Sequence, residues 1–284
     1  MQSPTKSSVG LHELQVKSGQ RFEFGKNWQS FLEALTDQRI ENAKRSFTDM
    51  LGVERLDGKL FLDAGSGSGL SSLIANQLGA TVVSFDFDPQ SVACTKELRR
   101  RYCSMNETWQ ILEGSVLDEE FVLTLGQFDV VYSWGVLHHT GDMWNAIDTV
   151  SRAVRKGGTL FLMIYADNGW KSNAWRMIKR TYCSSWAGRK LVMSTFVSYY
   201  VSRGLVEDVC SFRSPFRRYA EYSSQRGMSR YHDWRDWLGG YPYEVANVDT
   251  IAPFLEKRGF RLSKQAGQEY LFVRDSNEQH RTVS

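Results

Sequence analysis

The sequence predicts an α/β fold in which helices cover both faces of an open, mostly parallel sheet, and three observations support this prediction. A short apolar strand over residues 60–64 runs into a glycine-rich turn. Segments of strand and helix character then alternate as far as Tyr165, which is typical of βαβ units. The 284 residues include 42% hydrophobic and 24% charged side chains, which is sufficient for a full globular core.

Two segments precede the first strand. Residues 1–20 are mostly polar, and we expect them to form a flexible arm. Apolar side chains recur at helical spacing from Trp28 to Leu51, so residues 21–57 are predicted to form a helical extension that covers the sheet. Trp28 ends a Phe-Gly-Lys-Asn-Trp segment at an element boundary, and we count it among the candidate ligand-binding residues.

The alternating core is expected to span residues 58–165. After the first strand, the pattern predicts helices at 70–78, 90–102, 119–125 and 144–154, and strands at 81–85, 109–112, 128–133 and 159–165. Right-handed crossovers place the carboxyl ends of parallel strands at one edge of the sheet, where ligands of open α/β sheets bind. Candidate site residues are therefore sought in the loops that follow the strands.

The alternation stops over residues 166–248, which form an insertion. This segment holds thirteen Lys or Arg against seven Asp or Glu, and five of the nine tryptophans. Such a basic, aromatic insertion is either a lid over the ligand or a helical subdomain whose charges face solvent. Residues 249–274 then predict a last helix and a terminal hairpin, and residues 275–284 a tail.

The glycine-rich turn is the first candidate ligand site. Glycines at 65, 67 and 69 allow positive φ angles and close approach of a ligand, and the next helix offers free N–H groups. The spacing lacks the dinucleotide register and the P-loop lysine. Asp63, two residues before the first glycine, could meet a ligand ammonium group. A tight structural connection would also explain this turn if it stood alone.

Four motifs occur in order over residues 58–165: Asp-x-Gly-x-Gly-x-Gly, an acid (Asp86) after the second strand, Phe-Asp-Val-Val followed by Val-Leu-His-His, and Arg-Lys-Gly-Gly. Together they resemble the class I S-adenosylmethionine-dependent methyltransferases of the ubiquinone-type, small-molecule kind. The resemblance implies a Rossmann-like sheet, with S-adenosylmethionine as cofactor and S-adenosylhomocysteine as product. Other segments, among them residues 232–244, resemble a bacterial group of largely uncharacterised members of this class.

The resemblance also implies the cofactor contacts. Asp63 is assigned to the methionine end and Asp86 to the ribose hydroxyls, with Phe87 as an apolar face for the adenine. The adenine amino group is assigned to Ser115 or to Asp118, which could instead cap the following helix. The full set of candidate cofactor residues is Asp63, Gly65, Ser66, Gly67, Gly69, Asp86, Phe87, Ser115, Val116, Asp118, Ser133 and Trp134.

Methyl transfer is a direct displacement, so much of the catalysis can come from alignment of the reacting atoms. A base is needed only when the acceptor arrives protonated, as a hydroxyl does. Histidine titrates near neutral pH, which makes His139 the first candidate, His232 the second and His138 the third. Since one of two adjacent histidines often packs against the sheet, we expect at most one of the pair to face the acceptor.

Residues 232–244 carry many hydrogen-bonding and stacking groups, and they form either the acceptor pocket or a structural turn with a tryptophan core. We favour the pocket. The candidate acceptor-binding residues are Trp28, Tyr165, Trp234, Tyr241, Tyr243 and Glu244.

The functional prediction is methylation of a small molecule, most simply at a hydroxyl oxygen of a natural-product, glycan or quinone-like acceptor. The first alternative is RNA or protein methylation guided by the basic insertion. Against base methylation, residues 133–136 carry no Asn/Asp-Pro-Pro-Tyr/Phe motif, and the net charge is only +3. The second alternative is a non-catalytic binding module, although the intact Asp63 and Asp86 argue for retained cofactor binding.

The remaining features bound the protein class. The four cysteines are dispersed without a Cys-x-x-Cys pair, so we expect neither a metal site nor a disulfide framework, and a cytoplasmic location. No apolar run reaches the ~18 residues of a membrane span. The longest apolar stretch, residues 191–206, is interrupted by polar side chains and is predicted to be a buried or interfacial helix. The oligomeric state is left open.

Overall fold

The computed structural model describes residues 7–103, 108–211 and 230–276 of the chain. Its centre is a seven-stranded sheet in the order β3-β2-β1-β4-β5-β7-β6. The first five strands pair in parallel and the last two pair antiparallel, which confirms the predicted α/β class and the terminal hairpin. The strands are β1 (Leu60–Ala64), β2 (Thr81–Asp86), β3 (Trp109–Glu113), β4 (Phe128–Trp134), β5 (Val154–Met163), β6 (Phe260–Ala266) and β7 (Glu269–Arg274).

Helices cover both faces of this sheet and extend from its ends. They are α1 (Ser7–Lys17), α2 (Gly25–Glu33), α3 (Asp37–Leu51), α4 (Leu70–Gln77), α5 (Pro89–Tyr102), α6 (Glu119–Thr124), α7 (Met143–Arg152), α8 (Trp170–Ser184), α9 (Trp186–Cys210), α10 (Arg230–Gly239) and α11 (Val248–Glu256), with a short 3-10 turn at Leu137–His139. The helices predicted within the core lie where the apolar periodicity places them, within one or two residues at each end.

The core has two layers because successive side chains of a strand point to opposite faces. Phe61 of β1 packs with Leu73 and Trp109 under α3, α4 and α5. Its neighbour Leu62 packs with Ile147 and Phe272 on the side of α7 and α11. All six side chains are almost completely buried. The near-continuous apolar sequence of the parallel strands follows from this burial on both faces.

The N-terminal segment differs from the flexible arm that the sequence predicts. Residues 7–17 form α1, and His12 on this helix is buried against the loop that follows β2. Its ring contacts Phe87 edge to face at 5.4 Å, and its Nε2 lies 3.6 Å from an Asp88 carboxylate oxygen. The local composition of residues 7–17 does not predict this helix, because the helix is held by contacts with residues about 75 positions further along the chain.

The insertion is helical, with α8 and α9 packed side by side and α10 against both. The helix predicted at residues 191–206 is confirmed, and of the two alternatives for it the buried one is wrong while the interfacial one stays a prediction. These residues lie within the longer helix α9, on which Leu191, Tyr199 and Leu205 are largely exposed. Within the described ranges, no helix is long and apolar enough to cross a membrane. Residues 212–229 lie outside those ranges.

Asp129, at the start of β4, connects three parts of the sheet. Its buried carboxylate accepts a hydrogen bond of 2.9 Å from the Leu60 backbone N–H and forms ion pairs with Lys59 and Arg155. The side chain therefore ties the beginning of β1 to the beginning of β5 across β4. Removing the shared carboxylate would leave the Leu60 N–H and both cations without this partner.

We expect Asp129→Ala to lower the free energy of unfolding by about 2–3 kcal/mol, because the Leu60 N–H loses its acceptor and two cations lose their counter-ion. Urea denaturation followed by tryptophan fluorescence measures this change. The matched control is Glu97→Ala, which removes an exposed ion pair with Arg100 and Arg101 and should leave the midpoint unchanged. An unchanged midpoint for Asp129→Ala would show that this carboxylate does not stabilise the sheet.

Candidate functional site

A cavity of about 760 Å³ lies at the carboxyl ends of β1, β2 and β4. β1 is the switch point of the sheet, since the chain turns to β2 on one side and to β4 on the other. Ligands of open α/β sheets bind at such a crevice, and small-molecule sites have volumes of ~300–1,000 Å³. In the described part of the chain, this large cavity therefore lies at the position where the strand order predicts a ligand site.

The glycine turn forms one wall of this cavity. The backbone N–H groups of Gly65 and Ser66 donate to the Phe85 carbonyl, at 2.9 and 3.0 Å, which holds the turn against β2. Gly65 has φ of 88°, and a Cβ there would lie 2.4 Å from Val136. A Cβ on Gly67 would lie 3.1 Å from the Trp28 ring. The turn therefore runs too close to its neighbours for larger residues.

Asp86, at the end of β2, supports the turn from below. One of its carboxylate oxygens accepts from the Gly67 N–H and the other from the Asp88 N–H, both at 2.9 Å. Burial raises the pKa of Asp86 to about 6. The side chain lines the cavity and keeps lone pairs for a further donor, such as a hydroxyl group.

Asp88 caps α5 by accepting from the Gln90 N–H at 2.9 Å. Its other oxygen accepts a 2.7 Å hydrogen bond from the Gly25 N–H at the start of α2. With His12 beside it, this carboxylate holds α1 and α2 over the cavity. The N-terminal extension is therefore a wall of the site.

Asp63, at the end of β1, is the second buried carboxylate of the cavity. It accepts a 2.5 Å hydrogen bond from the Ser72 hydroxyl. Burial, together with the neighbouring charge of Asp86, raises the pKa of Asp63 to about 7. A cation placed here would favour the ionised carboxylate, so the site fits a ligand that carries an ammonium group.

Beyond β2 and β3, the predicted adenine contacts separate into two groups. Phe87, Ser115 and Val116 line the cavity, and the Phe87 ring lies 5.0 Å from the Arg21 guanidinium. Asp118 does not line it, because its carboxylate caps α6 by accepting from the Phe121 N–H at 3.0 Å. Of the two alternatives for the adenine amino group, only Ser115 is in place.

Of the two cofactor residues predicted at the end of β4, only one lines the cavity. Ser133 was predicted to bind the cofactor, but its fully buried hydroxyl donates to the Ala64 carbonyl at 2.8 Å and joins β4 to β1. Trp134 lines the cavity, and its indole N–H donates to the Glu269 carboxylate on β7 at 2.8 Å. The predicted residues Ser66, Gly67 and Gly65 are lining residues, whereas Gly69 begins α4 behind the Thr95 side chain.

Of the two adjacent histidines, only His139 lines the cavity. Its Nδ1 lies 2.7 Å from the Pro242 carbonyl oxygen, so Nδ1 carries the proton and Nε2 the lone pair. Burial lowers the pKa of His139 to about 3, and the ring is neutral at physiological pH. His138 is completely buried behind it against Tyr165, with ring centroids 4.1 Å apart, so it faces no ligand. The side chain of His232 lies outside the described residues.

The candidate acceptor residues divide in the same way. Trp28 and Tyr165 line the cavity, whereas the four candidates from residues 234–244 do not. Glu244 instead accepts from the Met143 N–H at the start of α7, at 3.0 Å. The four that serve the structure are Trp234, Tyr241, Tyr243 and Glu244. Trp237 and Gly240 of the same segment do line the cavity, so the interpretation of residues 232–244 as a pocket stays a prediction that these four candidates do not support.

Two lining cations were missed by the sequence reasoning. The Arg21 guanidinium donates to the His139 and Thr140 carbonyls at 3.1 and 3.3 Å. Lys179 of α8 is buried, and its ammonium donates to the Trp237 carbonyl and lies 4.7 Å from the Trp237 ring centroid. Neither residue belongs to a motif, since each reaches the site only through tertiary packing.

Residues 62–160, which include β1, the glycine turn and four further strands, match the family described as "Methyltransferase domain". About a third of the chain is therefore similar to a methyltransferase domain. The match covers the part of the chain that carries Asp63, Asp86 and His139, and it confirms the resemblance found in the sequence motifs.

Relatives of this methyltransferase domain are named as O-methyltransferases. A ubiquinone biosynthesis O-methyltransferase of Methylobacterium sp. (strain 4-46) is 30% identical over 142 residues, which are 50% of this chain and 54% of that protein. One of Pseudomonas fluorescens (strain Pf0-1) is 33% identical over 106 residues, 37% of this chain and 44% of that protein. The chain thus spans about half the length of the curated relatives it matches.

Solved structures share the fold at low sequence identity. Magnesium protoporphyrin IX methyltransferase from Synechocystis PCC 6803, solved with bound SAH, has a TM-score of 0.50 at 13% identity and covers 84% of both chains. An O-methyltransferase family protein from Burkholderia thailandensis has a TM-score of 0.52 at 12% identity, over 85% of this chain and 59% of that one. Among the residues that the structure describes, no cluster of His, Cys, Asp and Glu could hold a metal ion.

The raised pKa of Asp63 makes ligand-free stability depend on pH. The unfolded state loses this proton near pH 4, while the folded state keeps it until about pH 7, so the folded state binds more protons in between and stability falls as pH rises. We expect a loss of about 2–3 kcal/mol from pH 5 to pH 8, and a smaller loss in Asp63→Asn.

Urea denaturation at several pH values, without ligand, measures this difference. Asp63→Asn keeps an oxygen that can accept from Ser72, so at pH 8 the variant should be more stable than the natural protein. The control is Asp118→Asn, whose carboxylate caps α6 outside the cavity. If Asp63→Asn retains the full pH dependence, folding does not raise the pKa of Asp63 and another group causes the dependence.

Proposed function

We propose that the protein is an S-adenosylmethionine-dependent methyltransferase that acts on a hydroxyl oxygen of a small molecule. The observation that carries this proposal is the shared cavity: it joins the glycine turn and two buried carboxylates to an aromatic region and to His139. A donor and an acceptor could therefore meet in one buried space. The names of the two relatives, both O-methyltransferases, support oxygen as the accepting atom.

The residues present fit S-adenosylmethionine, which when bound supplies a methyl group on a positively charged sulfur. In this proposal Asp63 binds the ammonium group and Asp86 accepts from the ribose hydroxyls. Phe87 and Val116 pack against the adenine, and Ser115 meets its edge. Each assignment matches a side chain of suitable charge or polarity at the cavity wall.

His139 is proposed to act on the acceptor. A hydroxyl must lose its proton as its oxygen gains the methyl group, and the Nε2 lone pair can receive it while Nδ1–H stays hydrogen-bonded to Pro242. A pKa near 3 makes His139 a weak base, so its part is to align the hydroxyl first and to take the proton late.

A second candidate, methylation of RNA, is favoured by one surface. From residue 168 to residue 206 the chain has six exposed Lys or Arg and no acid, and the tryptophans 170 and 186 on α8 and α9 are largely exposed. Electrophoretic mobility at rising salt separates the candidates, because nucleic-acid affinity falls steeply with ionic strength. Methyl transfer to RNA that vanishes at ~0.2 M salt would support this second candidate over the first.

The three described cysteines 94, 103 and 183 are free thiols, which supports a proposed location in a reducing compartment such as the cytoplasm. Cell fractionation followed by immunoblotting tests it, and recovery from an oxidising compartment would contradict it.

We expect Asp86→Ala to weaken S-adenosylhomocysteine binding by about tenfold to a hundredfold, because the ribose loses a charged acceptor and the Gly67 loop loses its support. Isothermal titration calorimetry measures the affinity, and circular dichroism verifies the fold. Asp118→Ala, which removes a carboxylate outside the cavity, should bind normally. No binding by the natural protein would refute the proposed cofactor, and normal binding by Asp86→Ala would remove Asp86 from the ribose.

We expect His139→Ala to lower kcat by about 10²- to 10⁴-fold with little change in S-adenosylhomocysteine affinity, because the hydroxyl loses its proton acceptor. Radiolabelled methyl transfer, followed against pH, measures this loss. His232→Ala is the parallel variant for the second candidate base. If turnover and its pH profile are untouched in His139→Ala and are lost in His232→Ala, the role passes to the insertion.

A further inference from the structure

The cavity has a second half that the proposed cofactor contacts do not use, and we call it the apolar chamber. It is lined by Trp28, Ala43, Phe47, Met50, Tyr132 and Phe161. These side chains come from α2, α3, β4 and β5. Apart from Trp28, sequence reasoning assigned none of them to a ligand.

The floor of the apolar chamber is one face of the sheet. In the strand register Asp63 pairs with Tyr132, and Tyr132 pairs with Phe161, so the three side chains form a row on the same face. The Tyr132 and Phe161 rings stack with centroids 4.5 Å apart and planes 6° from parallel. The floor is thus a pair of stacked aromatic rings that begins beside the carboxylate assigned to the methionine end.

The roof is the inner face of α3. Ala43, Phe47 and Met50 are spaced four and three residues apart, which puts them on one stripe of the helix. Phe47 contacts the Tyr132 ring at 5.4 Å, so roof and floor meet at one end of the chamber. Ser46 also lines the cavity and is exposed, so the chamber reaches solvent beside α3.

Ordinary core packing does not account for this space. Protein interiors are close-packed, and voids larger than a water molecule are few. A helix that packs against a sheet through alanine, methionine and phenylalanine normally closes such a gap, yet here the gap is continuous with the polar half of the cavity. An apolar chamber that adjoins polar groups is the usual form of a small-molecule site.

We propose that the apolar chamber holds the hydrocarbon part of the methyl acceptor, which makes the acceptor an amphiphile: a hydroxyl-bearing head with an apolar tail or ring system. This inference rests on the proposed methyl transfer. The head lies toward Asp63 and His139, and the tail lies between the α3 stripe and the Tyr132–Phe161 floor. The opening beside Ser46 allows a tail longer than the chamber to continue into solvent.

Binding of 4-n-alkylphenols, from methyl to nonyl, tests this proposal in the full chain saturated with S-adenosylhomocysteine. Each added methylene that enters the chamber should tighten the dissociation constant about threefold to fourfold, until the tail reaches solvent. Isothermal titration calorimetry measures both the cofactor and the phenol. A dissociation constant that does not change with tail length, or no binding of any phenol, overturns the proposal.

Ala43→Phe should block the chamber. Short phenols should bind this variant normally, and the gain with tail length should disappear. The control is Asn42→Phe, which puts the same side chain on an exposed position of α3 and should keep the full chain-length dependence. If affinity still depends on tail length in Ala43→Phe, the tail does not bind in the apolar chamber.

S-adenosylhomocysteine affinity is measured in the same samples, because it tests the proposed function separately from the proposed amphiphilic acceptor. Normal affinity shows that each variant is folded, so a loss of chain-length dependence then reports on the chamber alone. Failure of the natural protein to bind S-adenosylhomocysteine refutes the proposed function itself. Normal cofactor binding without chain-length dependence refutes only the amphiphilic acceptor.

Discussion

The site depends on two carboxylates at one edge of the sheet, the buried Asp63 and the half-buried Asp86. Burial disfavours their charged forms, and the charge of Asp86 makes ionisation of Asp63 harder still. The hydrogen bonds from Ser72, Gly67 and Asp88 offset only part of this cost. A positively charged ligand would remove the rest, so the preference for a cation is a property of the protein's own electrostatics.

The same edge explains why the N-terminal segment belongs to the site. Asp88 accepts from the Gly25 N–H and lies beside His12, which fixes α2 and α1 over the cavity. Arg21 between them donates to the His139 and Thr140 carbonyls and thereby holds the loop after β4. One network thus joins a segment that precedes the domain to the histidine assigned to the acceptor.

Strand register divides the cavity into a polar and an apolar half. The carboxyl ends of β1 and β2 present Asp63 and Asp86, while the same face of β4 and β5 presents Tyr132 and Phe161. Because paired residues of neighbouring strands point the same way, the charged and aromatic side chains are contiguous. The division that suits a cationic donor and an apolar acceptor follows from the pairing of four parallel strands.

The sequence by itself determined the alternating core, the glycine turn, the two carboxylates and the terminal hairpin, because these depend on local periodicity and short motifs. It also pointed to His139 and to Trp28. Only the tertiary structure separated Ser115 from Asp118, His139 from His138, and the cavity wall from the structural turn at residues 241–244. The last two choices depend on which side chain a distant backbone group or ring contacts, as when Glu244 accepts from Met143. For Asp118 the sequence already offered the local cap as an alternative, and the structure decided between the two. Contacts between residues far apart in the chain leave no local pattern. For that reason α1, Arg21, Lys179 and the apolar chamber became visible only in the fold.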